Sequence, residues 1–233
     1  MGDEPTIFLI HTGPHMASHL DLEEQEQLAE LKHFWKTYGN LISWLLILVL
    51  GSYAAWNGWQ YWQRNQAAKA SALYEEVEKA VLAQDVPRVE RSMGDMKDRF
   101  GSTQYAHQAA LMAARTLAEK GQNDQARALL AWSAEKAPTA AWRDLARVRL
   151  AALQWETQSV DEALKTLQAD FGAETAPLAA DLKGDLLLSK GQSAEAVSAY
   201  RVAYKGLADG HEYRRVVQAK LAVLGVDAQE SRP

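Results

Sequence analysis

The chain has 233 residues, 48% of them hydrophobic and 24% charged, with a formal net charge of −5. It has no cysteine, which excludes a disulfide framework, a thiol nucleophile and a cysteine-based zinc site. Seven acids against two lysines in residues 1–40 account for the whole charge; residues 41–233 are balanced and lack a basic footprint, so no nucleic acid is expected as a partner.

Residues 1–18 read as disordered, or as an upstream extension from a start assigned too early, with Met16 the more sensible beginning. The apolar piece at residues 7–10 is far too short to span a bilayer or to form a signal core. His11, His15 and His19 recur at intervals of four, but a metal-binding face needs a helix there, and Gly13-Pro14 opposes one.

Residues 19–38 form an acidic juxtamembrane segment, with an amphipathic helix predicted from residue 21. Asp21 and Glu24 make a capping-box pattern, and acids early with Lys32 and Lys36 late suit the helix dipole. Leu28, Leu31, Trp35 and Tyr38 make one apolar stripe. Gly39-Asn40 is expected to loosen the backbone before the next segment.

Residues 39–63 are the predicted transmembrane helix. No Asp, Glu, Lys, Arg or His occurs between Lys36 and Arg64, a run of 27 residues, and about 20 apolar residues cross a hydrocarbon core. The apolar run proper is residues 41–62, with residues 41–56 as its dry part. Trp35, Tyr38 and Trp44 on one side, and Tyr53, Trp56, Trp59, Tyr61 and Trp62 on the other, resemble interfacial belts facing membrane lipid. Such length argues against the core helix of a soluble protein. Ser52-Tyr53-Ala54 imitates a cleavage site, but the long acidic head and the apolar run beyond it favour an uncleaved signal anchor. Lys32 and Lys36 before the run balance Arg64 and Lys69 after it, so positive charge does not choose an orientation.

Residues 64–233 are an all-α domain without a convincing strand. Residues 64–83 favour helix strongly and continue the span outward, until Val86-Pro87 breaks them and a further helix runs to Phe100-Gly101. From there a repeat emerges. Ala114, Leu117, Gly121, Ala126, Leu130 and Pro138 follow the small-large-Gly-Ala-large-Pro spacing of tetratricopeptide repeats, and Gly184, Leu187, Gly191, Ala196, Tyr200 and Ala203 follow it again. Ala151, Ala163 and Leu167 keep the frame between them, although Gln154 and Gln158 replace the ring and the glycine. About three helical hairpins are expected, with residues 74–100 as a leading cap.

None of the common phosphate-loop, dinucleotide, nucleophile-elbow or zinc-protease patterns occurs. His33, His107 and His211 are scattered singly. The pairs Glu75-Glu76, Asp161-Glu162 and Asp181/Asp185 fit solvated helix faces, so neither an enzyme nor a cofactor is expected. Trp132, Trp142 and Trp155 fit a core, though one of them in a groove would anchor a client well. On ordinary repeat geometry Gln108, Arg115, Trp155, Asp181 and Asp185 point into a partner-binding groove.

The order of these segments is the specific feature: HLDLEEQEQLAELKHFWKTYGN, one span ending WNGWQYWQRNQAAKAS, then degenerate repeats. From His19 to Val226 the chain resembles the YfgM-like family, ancillary subunits of the bacterial Sec translocon. The resemblance implies a single-pass inner-membrane protein with a cytoplasmic N-terminus and a periplasmic repeat domain. It also implies association with SecYEG, with a PpiD-like periplasmic chaperone and with secreted client proteins, and it carries no catalytic residue. An envelope assembly scaffold unrelated to the translocon is the alternative that the same repeats would serve.

Overall fold

A computed structural model of the chain describes residues 22–227, and within them nine α-helices and no strand. The readings of residues 1–18, the three early histidines and the Asp21 cap lie outside the described residues.

The first helix, α1 (Leu22–Leu82), is 61 residues long. Its most apolar 18-residue window has a mean hydropathy of 1.5, which makes it long and apolar enough to cross a membrane. Leu45, Ile47 and Leu50 are all exposed, as a lipid-facing surface would be. The expected loosening at Gly39-Asn40 does not occur. Gly39 is buried under the indole of Trp35 one turn back, and Thr37 Oγ1 donates to the His33 carbonyl, so the backbone there is covered and the helix runs through.

The chain divides into two units between residues 60 and 61, and α1 contributes to both. In the second unit the end of α1 is followed by α2 (Val86–Phe100), α3 (Gln104–Glu119), α4 (Asn123–Lys136), α5 (Ala140–Glu156), α6 (Val160–Thr166), α7 (Ala176–Ser189), α8 (Ser193–Gly206) and α9 (Glu212–Val223). α1 stops five residues before Pro87, and Asp85 starts α2 by accepting from the Arg88 amide, with the proline in the first turn where its missing N–H is harmless.

The repeat register is written in the backbone. Gln84, Gly121, Gln158, Gly191 and Gly225 all have left-handed φ, from 51° to 78°. At each, the residue's own amide donates to the carbonyl three back and the next amide to the carbonyl five back from itself, as in Gly121→Ala118 and Gln122→Leu117. This is the Schellman ending, which satisfies otherwise orphaned helix carbonyls. Five identical endings, 33 to 37 residues apart, mark the end of α1, α3, α5, α7 and α9. The α5–α6 hairpin therefore keeps repeat geometry without its glycine. The α1–α2 pair has the same turn, and α9 is the first helix of a further repeat.

Three apolar clusters follow this order. Val77, Ala80, Met96, Ala110, Leu117 and Leu130 belong to the first. Ala151, Ala163, Leu167 and Leu186 belong to the second, and Leu187, Tyr200, Val217 and Leu221 to the third. Alanine dominates because small side chains let helices approach closely while Leu and Tyr fill what is left. One buried carboxylate steadies the longest connection: Asp144 on α5 accepts from the Gly172 amide (2.9 Å), Thr175 Oγ1 (3.1 Å) and Arg147 (2.9 Å).

Candidate functional site

α3 and α5 are the first helices of successive hairpins and pack side by side. Four α3 positions, Leu111, Arg115, Ala118 and Glu119, share one face by helical spacing, as do Arg149, Ala152, Leu153 and Glu156 on α5. Together with Ala114 and Leu130 they line a cleft of about 370 Å³. Its floor is apolar and buried at Leu111, Ala114, Leu130 and Leu153. The alanines leave the space; the long charged side chains form the rim.

The two rims differ electrostatically. On α3, Arg115 Nε donates to Glu119 Oε1 at 2.8 Å, an i,i+4 pair that raises the Arg115 pKa through the hydrogen bond first and the carboxylate charge second. Arg149 and Glu156 on α5 are exposed, and no ion pair to either is formed among the described residues.

Of the five residues expected in a groove, Arg115 lines this cleft. Gln108 is exposed on α3, outside the cleft lining. Trp155 is half-buried and packs with Phe171 and Leu182 in the second apolar cluster. Asp181 and Asp185 depart furthest from the expectation. Asp181 is only 3% exposed, and Lys220 Nζ sits 2.9 and 2.8 Å from its two oxygens and 2.8 Å from Asp185. Tyr213 donates to Asp181 at 2.6 Å and Tyr200 to Asp185 at 2.7 Å. Burial, and then those carboxylates, push both tyrosine pKa values up. The two aspartates bind α9 to α7 and are engaged inside the domain.

Trp132 and Trp142 pack against the first cluster, Trp132 stacked 4.4 Å from the ring of His107. Leu111, Ala118, Glu119, Arg149, Ala152, Leu153 and Glu156 carry no signal of residue type in the sequence, although the spacing around Arg115 and Ala151 contains them. A site of this kind holds a partner by shape, apolar contact and rim charge. Among the described residues no group of three or more His, Asp or Glu side chains is placed to hold a metal.

Residues 32–226 match the tetratricopeptide repeat-like domain family. The chain is 30% identical over 207 residues to an ancillary SecYEG translocon subunit of Neisseria gonorrhoeae, covering 88% of this chain and 98% of that protein. It is 29% identical to the proteins of that name in Escherichia coli and Haemophilus influenzae, covering 78% of this chain in each case and 87% and 89% of theirs. With its repeat register, its span-length apolar helix and these full-length relatives, the chain belongs to the tetratricopeptide repeat-like family of ancillary SecYEG translocon subunits.

Proposed function

We propose that this protein is a membrane-anchored ancillary subunit of the Sec translocon, a scaffold that holds a periplasmic chaperone of the PpiD kind and aids the hand-over of translocated proteins. The observation that carries the reading is the match along 98% of the Neisseria gonorrhoeae relative, which is named an ancillary SecYEG translocon subunit. In this reading α1 crosses the inner membrane once, with the N-terminus cytoplasmic and residues 64–233 periplasmic. The apolar run docks laterally on the translocon while the repeats engage the chaperone or an emerging chain. Binding through a few anchors in a helical groove suits such a task, since a hand-over needs contacts that form and release.

The test separates the two parts. A photo-crosslinker at Ile47 should reach SecY, and replacing residues 41–62 with an unrelated apolar helix should abolish co-purification with SecYEG. Co-purification of the span-swapped protein at wild-type level would overturn the proposal. Protease added to spheroplasts should digest residues 64–233 and spare the acidic segment; the reverse pattern would overturn the orientation.

A further inference from the structure

The rim charges of the α3–α5 cleft indicate what kind of segment fits it, granted that the cleft is the partner surface. Arg115 and Glu119 neutralise each other on α3. Arg149 and Glu156 are seven residues apart on α5, so they share a face with about 10.5 Å between them along the axis. Ala152 and Leu153 lie between them in the cleft lining. Two other junctions of this type, α5–α7 and α7–α9, are filled from within the domain. Lys220 bridges α9 to Asp181 and Asp185 on α7, while Trp155, Phe171 and Leu182 share the apolar cluster between α5 and α7. At the α3–α5 junction the space and both α5 charges are left over.

An extended chain matches this poorly. At about 3.3 Å per residue, residues three apart span the required distance but point to opposite faces. A helix places residues seven apart at the same 10.5 Å and on one side. The small Ala114, Ala118 and Ala152 also allow the close approach of a helix axis, which packs at about 8–10 Å.

We propose that the cleft takes an amphipathic helical segment carrying an acidic side chain against Arg149 and a basic one, two turns away, against Glu156, with its apolar side chains between them over Ala152 and Leu153. Because the rim pairs are exposed, they select among segments more than they add affinity.

The experiment uses the full chain in detergent and three fluorescent 15-residue helical peptides sharing one leucine stripe. Their two rim positions, seven residues apart, carry Glu/Lys, Glu/Glu or Lys/Lys. The wild type should bind Glu/Lys about threefold to tenfold more tightly than either like-charged peptide, with the preference fading at high salt. Arg149→Glu should turn the preference to Lys/Lys, and Glu156→Lys to Glu/Glu. A proline at the centre of the Glu/Lys peptide should abolish binding. Equal binding of all three, preferences that ignore the two variants, equal binding of the proline peptide, or no binding of any peptide would each overturn the proposal. If any of these comes with intact co-purification of SecYEG, the segment chemistry fails while the translocon reading stands.

Discussion

The ring of Tyr200 on α8 lies where a Cβ on Gly184 of α7 would have to be, so the two helices cross with a ring against bare backbone. In the first hairpin the same two register positions, 70 residues earlier, hold Ala114 and Leu130. Size is traded across the helix pair. Gly184→Ala alone should lose about 1–3 kcal/mol of stability by overpacking. Gly184→Ala with Tyr200→Leu should lose less than the sum of the two single changes, because the pair then copies the first hairpin. Chemical denaturation of the four proteins measures the coupling; strictly additive losses would show that the two positions do not share one space.

Gln158 holds a φ of 63° where the equivalent Gly121 and Gly191 hold 78° and 76°. A left-handed residue with a Cβ is strained by roughly 1 kcal/mol relative to glycine. Gln158→Gly should therefore stabilise the domain by about 0.5–1 kcal/mol, net of the chain entropy that glycine adds to the unfolded state. Gly121→Ala should lower stability by a similar amount. A Gln158→Gly protein melting no higher than wild type would mean that the turn is relaxed around its glutamine.

Those two positions also show what the sequence can and cannot reveal. The first and last hairpins are legible from Ala114, Gly121, Gly184 and Gly191, because close packing and a left-handed turn select small residues. The middle hairpin is faint because the hydrogen bonds of its turn come from backbone atoms, which Gln158 supplies as well as glycine does. The span is legible from its missing charges, whereas the straight passage through Gly39 depends on Trp35 covering it, which residue propensities do not contain. Arg115 could be found from register alone. The engagement of Asp181 is not legible, because its partners, Tyr213 and Lys220, lie 32 and 39 residues further on in a helix that the repeat pattern does not mark.

His107 makes stability depend on pH. Its ring is fully buried against Trp132, with Nε2 3.0 Å from the Gly101 carbonyl and Nδ1 3.1 Å from Ser133 Oγ. The carbonyl can only accept, so Nε2 carries the proton and Nδ1 accepts from Ser133 in the neutral ring. Burial lowers the His107 pKa, opposed in part by the bond to Gly101. The unfolded chain takes up a proton near pH 6.5 while the folded one resists it. Stability from this residue is thus complete above about pH 6.5 and declines as pH falls towards the lowered folded value. Amide exchange in α3 and α4 should accelerate from pH 7.5 to 5.5, after correction for intrinsic rates, more in wild type than in His107→Gln. Equal pH dependence in both would remove His107 as the cause.

Lys220 is the one cation between two carboxylates, and its side chain is 26% exposed against 4% for Asp181 and 24% for Asp185. Removing it strands two negative charges where water reaches them poorly, and breaking a buried pair from one side costs more than replacing the whole group. Lys220→Met should therefore destabilise α9 by roughly 3 kcal/mol, with amide exchange rising there before it rises in α3. α5 supplies the apolar alternative, since Val148 and Ala152 occupy the register positions of Asp181 and Asp185. A protein with Asp181→Val, Asp185→Ala, Tyr200→Phe, Tyr213→Phe and Lys220→Met leaves no member of this network behind and should recover to within about 1 kcal/mol of wild type. If this fivefold variant is as unstable as Lys220→Met alone, the ionic network supplies packing that an apolar junction cannot, and α9 depends on charge rather than on Val217 and Leu221 for its place.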